Sequence, residues 1–177
     1  PGEAWAWVPD EGNYRLFNTY GIGASRVEFR PAENAWRFYH REVLLYLDPR
    51  TNEVLESWRN PWTGRRQEVV HILNRHVNRY YDLKPDARFR FPWTYELNGD
   101  DLVFRISVFQ LEDNVMPRKQ YRLHSQSDKY QAAELWGMIG NLREVMDPDV
   151  SSASCVTSWS RISAWLPFME MGSRPGQ

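Results

Sequence analysis

The chain has 177 residues and a formal net charge of −1, a length that predicts one domain with its own hydrophobic core. No basic stripe is visible and no apolar run approaches the ~20 residues of a membrane span, so neither a nucleic acid nor a membrane is expected as a partner. The single cysteine, Cys155, excludes an internal disulfide. Aromatic residues make up 15% of the chain, which favours strands and a pocket for a flat apolar ligand.

The spacing of apolar residues and turn residues predicts about eight short antiparallel strands. Two turns, DPRTNE at 48–53 and NPWTG at 60–64, join three of them into a meander, and Asn52 suits a positive φ. Asn98-Gly99 is a preferred type I′ hairpin pair between two further strands, the first of which contains Pro92, as at a sheet edge or a bulge. The predicted strands are 14–21, 24–31, 35–47, 53–59, 65–73, 88–97, 102–111 and 118–126.

One long helix is predicted over 127–148. Ser127 or Asp128 is suited to cap it, apolar residues recur at helical spacing along it, and the proline at its end stops it. The segment 74–86 has no clear period and predicts a loop or a short helix.

These elements predict a mainly β fold, an antiparallel barrel of calycin or lipocalin type with about eight strands and one long C-terminal helix. The whole chain, 1–177, is expected to form this single domain. The apolar pattern stops abruptly at Gln177, so a truncated C-terminus is also expected.

The strand 35–47 carries a histidine and a carboxylate side by side. Residues two apart share a face of a strand, so His40 and Glu42 point the same way. In an interior, burial raises the pKa of a carboxyl and lowers that of an imidazole, and such a pair suits proton transfer to a bound ligand. The alternative is an outward-facing strand in which Glu42 meets Arg59 or Arg66. The residues of this face are Phe38, His40, Glu42, Leu44 and Tyr46.

The next two strands add candidates. Glu56 and Trp58 are expected to share one strand face, and Val69, His71 and Leu73 another, with His71 inside the apolar run VVHIL. A one-residue slip at Asn52 changes which face meets His40, so the sequence leaves open whether Glu56 or His71 joins the pocket. A histidine in such a run is also typical of a hydrogen-bonded core residue.

No metal or cofactor is predicted. HExxH, paired CxxC, calcium-loop, phosphate-loop and dinucleotide motifs are absent from the sequence. A metal site built from His40, Glu42 and His71 is conceivable because strand-borne ligands need not be close in sequence, but it is the weaker interpretation. Cys155 has no obvious base partner and is not expected to act as a nucleophile.

Three stretches resemble an uncharacterised family catalogued as domain of unknown function 1838. They are YLDPRTNEVLESWRNPWTG, VVHILN and the C-terminal SAWLPFMEMGSRPG. The resemblance implies a somewhat longer family domain and supplies no mechanism or catalytic residues.

The function expected from the sequence is that of a cofactor-independent enzyme acting on a hydrophobic or aromatic small molecule by acid–base chemistry, as a lyase, isomerase, dehydratase or cyclase. The alternative is a non-catalytic barrel that carries such a ligand, and a third interpretation is an interaction surface with exposed Trp62, Trp165 and Phe168. The predicted catalytic residues are His40, Glu42, His71 and Tyr46. The predicted substrate-binding residues are Phe38, Trp58, Trp93, Tyr95 and Phe104. A homodimer stays open, and a cytoplasmic location is slightly favoured over export with a removed signal.

Overall fold

The computed structural model describes residues 1–73, 78–83, 94–113, 129–171 and 174–177, and within these ranges the chain is mainly β. The strands are β1 (Gly2–Val8), β2 (Gly12–Arg30), β3 (Ala35–Leu47), β4 (Ser57–Arg59), β5 (Arg66–Glu68), β6 (Asn78–Leu83), β7 (Thr94–Asn98), β8 (Asp101–Asp113), β9 (Lys129–Asn141) and β10 (Cys155–Ser163). The helix α1 (Leu142–Met146) and two 3-10 turns, Pro31–Glu33 and Pro167–Met169, complete the regular structure of this part. Among the described helical segments, none has the length and apolar character that spanning a bilayer requires.

The chain divides into two compact units. The first unit consists of Pro1–Arg88, Asp113–Tyr130 and Ala164–Gln177 and contains an antiparallel sheet in the order β1-β2-β3-β6, with the hairpin β4-β5. The second unit consists of Phe89–Glu112 and Gln131–Ser163 and contains a sheet in the order β10-β9-β8-β7.

The predicted closed barrel is wrong for the described strands. Closure requires the two outermost strands of one sheet to hydrogen-bond each other, but the described strands fall into two separate four-stranded sheets and one two-stranded hairpin. Four strands are also too few to enclose an interior that side chains can fill. The mainly β, antiparallel character that the turn pattern predicted is confirmed.

The predicted long helix over 127–148 is also wrong, because most of its described part is the strand β9. Its residues pair in register with β10, with Trp136 opposite Trp159. Cross-strand partners satisfy the backbone here and override a helical pattern that two internal glycines, Gly137 and Gly140, already weaken. A helix forms only over Leu142–Met146, where the side chain of Asn141 caps it by accepting two backbone N–H bonds.

Two other segments differ from expectation. The predicted break between strands 14–21 and 24–31 is absent, because Gly21 and Gly23 pair within β2 against Leu44 and Glu42 of β3. A Cβ at Gly21 would lie 3.2 Å from the side chain of Leu44, so the glycine gives that leucine room. The segment predicted as a loop or short helix contains β6, which pairs with the first half of β3.

The local turn predictions fare better. Strands 35–47 and 102–111 are present as β3 and β8, and Asn52 has the expected positive φ of 63°. The hairpin between β7 and β8 is present, but its first loop residue is Gly99, with φ 63°, because Asn98 pairs with Asp101. Glycine in that position is typical of a type II′ turn, so the predicted type I′ pair at Asn98-Gly99 is wrong. Pro92 and the predicted strand 118–126 lie outside the described residues.

The core of the first unit joins its sheet to the C-terminal segment, which is Ala164–Gln177. Phe17 of β2 lies 5.3 Å from the ring of Tyr46 and 6.2 Å from that of Phe168, between ring centroids. Phe168 is completely buried and Met169 almost so, which contradicts the expected exposure of Phe168 on an interaction surface. The buried cluster consists of Ala6, Leu16, Phe17, Tyr46, Val69, Phe168, Met169 and Met171.

Backbone hydrogen bonds, an indole hydrogen bond and an ion pair hold the end of the described chain in the first unit. Trp7 and Gln177 exchange backbone hydrogen bonds of 2.9 and 3.1 Å. The indole of Trp165 donates to the backbone carbonyl of Arg174, and the guanidinium of Arg174 forms an ion pair with Glu11. The C-terminal segment is therefore an integral part of this unit.

Candidate functional site

The hairpin β4-β5 carries the candidate site, and Asn60 anchors its turn. The Asn60 side chain is completely buried and accepts the backbone N–H groups of Trp62 and Thr63 at 2.9 and 3.1 Å. The amide nitrogen of the same side chain donates to the carbonyl of Met169 at 2.9 Å and to the sulfur of Met171. One side chain thus shapes the turn and ties it to the C-terminal segment.

The two faces of this hairpin have different roles. Trp58 and Gln67 lie opposite each other, and the Trp58 ring packs 5.5 Å from the core ring of Phe17. Ser57 lies opposite Glu68, and the Nε–H of Arg66 donates to the Ser57 hydroxyl at 2.8 Å. Buried Gln67 donates to the Glu170 carboxylate at 3.0 Å, a second link to the C-terminal segment.

An open pocket of about 690 Å³ lies beside the hairpin. Its volume falls within the usual range for small-molecule sites. The lining combines an imidazole, two carboxylates, a guanidinium, an amide and a hydroxyl with one aliphatic side chain. The residues are Glu56, Ser57, Arg66, Gln67, Glu68, Val69 and His71.

His71 is the half-buried histidine of this pocket, and the backbone of β3 holds its ring. The backbone N–H of Tyr46 donates to Nδ1 of His71 at 3.1 Å, and the ring stacks on the Tyr46 phenol at 6.0 Å with 21° between the planes. Burial lowers the pKa of His71, and a hydrogen bond with the backbone of Leu55 opposes part of that shift. The neutral form of the imidazole therefore predominates at pH 7.

Acidification should destabilise the protein through His71. The unfolded chain binds this proton at the ordinary pKa of 6.5, whereas the folded chain binds it only at a lower pH. Between these two values the unfolded state holds more protons, so the free energy of unfolding falls as the pH falls. Urea unfolding of the wild type and of His71→Asn, from about pH 8 to about pH 5, measures this effect. The wild type should lose stability relative to the variant, which does not titrate at this position; parallel pH profiles would contradict the prediction.

The other predicted catalytic residues do not line the described part of this pocket. Tyr46 is buried in the core, 5.6 Å from the Phe168 ring. Glu42 is half-buried on β3, opposite Gly23. The backbone of His40 pairs with that of Ser25, and its side chain lies outside the described residues. Their assignment as catalytic residues stays a prediction.

The predicted substrate-binding residues that the structure describes belong to different units. Trp58 packs against the core beneath the hairpin. Tyr95 and Phe104 face each other across β7 and β8 in the second unit, with ring centroids 6.3 Å apart and Tyr95 largely exposed. Trp93 and the side chain of Phe38 lie outside the described residues.

Sequence reasoning weighed Glu56 and His71 but missed their pocket neighbours. Ser57, Gln67 and Glu68 belong to a short hairpin whose strands are too brief for alternation to reveal a face. A usable signal is the polar run RRQE, which directly precedes an apolar run containing a histidine. Within the described ranges, no group of three or more His, Cys, Asp or Glu side chains is arranged to hold a metal ion.

These features define an antiparallel β protein with an open pocket that is lined mainly by residues with polar side chains and includes a half-buried histidine. A family model described as a protein of unknown function (DUF1838) matches residues 1–177. The chain therefore belongs to the DUF1838 family, and the resemblance seen in its sequence is confirmed. No curated protein and no solved structure matches the chain.

Proposed function

We propose that this protein is a cofactor-independent enzyme that performs acid–base chemistry on a small molecule bound in the pocket beside His71. The reaction class is that of a lyase, isomerase, dehydratase or cyclase, all of which can begin with removal of a proton from carbon. The observation that carries the proposal is the combination of His71 with Glu56 and Glu68 in one pocket of small-molecule size.

The groups in the pocket have complementary abilities. Burial lowers the pKa of His71, so its ring is a neutral polar group at pH 7. Glu56 and Glu68 are exposed on the hairpin and supply carboxylates that can accept a proton. A carboxylate base beside a neutral imidazole is an arrangement that supports proton abstraction next to a polarised carbonyl.

The residues that line the pocket also indicate which chemical groups the substrate carries. Val69 is the single aliphatic residue among the seven that line the pocket, and the rest offer hydrogen-bonding groups. We therefore expect a substrate with at least one polar functional group attached to any apolar skeleton. A preference for a hydrophobic or aromatic skeleton stays a prediction.

Hydrogen exchange tests the proposal because it requires only a bound carbonyl compound and not the natural substrate. A panel of small ketones and aldehydes is screened by shifts of the backbone amide signals of residues 56–57 and 66–71. Each binder is then incubated with the protein in D₂O, and loss of the proton next to its carbonyl is followed by NMR. Wild type should catalyse this exchange. Replacing the glutamate that acts as the base, by Glu56→Gln or by Glu68→Gln, should lower the exchange rate by roughly 10²- to 10⁴-fold, the usual contribution of a general base.

The matched control is Glu96→Gln, which alters an exposed glutamate of β7 that does not line the pocket. This variant should keep the wild-type exchange rate. Binding in the pocket without exchange by the wild type, for every binder in the panel, would contradict the enzyme proposal.

That last outcome would favour a second candidate, a non-catalytic protein that carries a small molecule. The observation in its favour is the engagement of the His71 ring by the backbone of Tyr46, which suits a rigid binding surface as well as a catalyst. For a carrier, the glutamine variants should change ligand affinity, and neither they nor the wild type should exchange the ligand's protons.

A further inference from the structure

The ring of His71 is built into the edge of the first sheet. On one side of it, Leu44 and Ile72 exchange backbone hydrogen bonds of 2.9 and 3.1 Å. On the other, the Tyr46 carbonyl accepts from the N–H of Leu55 at 3.0 Å, while the Tyr46 N–H turns to Nδ1 of His71. Nδ1 of the ring therefore takes the place of a backbone carbonyl as the acceptor for the Tyr46 N–H. The sheet backbone in this way fixes the orientation of the ring.

This hydrogen bond decides where the ring carries its proton. A neutral imidazole has one N–H donor and one acceptor nitrogen. A backbone N–H can only donate, so Nδ1 of His71 must be the acceptor and Nε2 must hold the proton. Nδ1 faces the strand, and His71 is one of the residues that line the pocket.

We infer that His71 presents its Nε2–H to the pocket as a fixed hydrogen-bond donor, and that the pocket therefore selects molecules with a carbonyl oxygen or a similar acceptor. The inference deepens the proposed function and rests on it for the identity of the site. It assigns His71 to substrate polarisation and leaves proton abstraction to Glu56 or Glu68. The proton moves from the carbon of the substrate to a glutamate carboxylate, and the electron pair of the broken C–H bond moves toward the carbonyl oxygen that accepts from Nε2–H.

The backbone of Leu55 defines the competing arrangement. Its carbonyl favours a proton on the imidazole. If a proton on Nδ1 were donated to Leu55, Nε2 would carry the lone pair and His71 could act as a base toward the substrate. The two arrangements predict opposite ligand preferences.

Two-bond ¹H–¹⁵N correlation spectra of the histidine rings at about pH 8 test the inference on the ligand-free protein, where ordinary histidine is neutral. His71→Asn identifies the His71 signals by their loss. We expect a protonated Nε2 and an unprotonated Nδ1. A protonated Nδ1 overturns the inference, whether or not the protein proves to be an enzyme.

Ligand binding provides the second measurement, with acetophenone and α-methylstyrene as probes of similar shape that differ in the carbonyl oxygen. Acetophenone should shift the His71 ring signals and bind about tenfold more tightly, because one hydrogen bond is worth roughly that factor. His71→Asn, whose side-chain oxygen can still accept the Tyr46 N–H, should remove that difference. Equal affinities in the wild type, or no response of the His71 signals to acetophenone, overturn the ligand preference. Failure of proton exchange despite an Nε2–H donor would instead contradict only the enzyme proposal.

Discussion

Phe168→Ala is expected to lower the free energy of unfolding by about 4 kcal/mol, the usual cost of removing a fully buried phenylalanine ring. The Phe168 side chain has no exposed surface and lies against the rings of Phe17 and Tyr46. Its neighbours belong to β2, to β3 and to the C-terminal segment itself, so the cavity cannot collapse without moving all three. Urea unfolding followed by circular dichroism measures the change.

Phe109→Ala is the matched control because Phe109, on β8, is 86% exposed. Its stability should remain within about 0.5 kcal/mol of wild type, as for most surface substitutions. A loss of less than about 1 kcal/mol for Phe168→Ala would show that the C-terminal segment does not complete the core.

Asn60→Ala is expected to cost about 3 kcal/mol, because it removes a buried amide whose partners then lack hydrogen bonds. The backbone N–H groups of Trp62 and Thr63 lose their acceptor, and the carbonyl of Met169 loses its donor. Since this residue ties the β4-β5 turn to the C-terminal segment, the pocket should also lose its shape. Urea unfolding gives the stability, and amide shifts of residues 66–71 report on the pocket.

Asn60→Asp separates the two halves of this interaction. Its side chain retains an oxygen for the turn N–H groups but turns a second oxygen toward the Met169 carbonyl, so it should also be destabilising. Asn13→Ala, at an exposed asparagine of β2, is the control and should be nearly neutral. If Asn60→Ala were as stable as that control, the proposed anchor would be refuted.

The stretches that carry the family resemblance meet in the first unit. Asn60 comes from the first stretch, His71 from the second, and Phe168 with Met169 from the third. Asn60 bonds to Met169, and the backbone N–H of Tyr46 holds the His71 ring above a core completed by Phe168. The segments that identify the family therefore build the scaffold of the proposed site.

Local chemistry by itself determined the β character of this protein. The strand 35–47, the left-handed conformation of Asn52 and the presence of a hairpin between β7 and β8 were all readable from the sequence, because turn residues and β-favouring side chains act over a few neighbouring positions. The family was also recognisable from three short stretches. Glu56 and His71 were weighed as candidates from the sequence, and the structure shows that both line one pocket.

Only the tertiary structure decided the rest. Residues 129–141 became a strand because β10 supplies hydrogen-bond partners that a helical pattern cannot anticipate. The pocket depends on links such as Asn60 to Met169 and Gln67 to Glu170, which join positions more than a hundred residues apart. The proton position on His71 likewise depends on the N–H of Tyr46, 25 residues away in the chain. Such contacts arise from packing and strand register, which local sequence preferences do not specify.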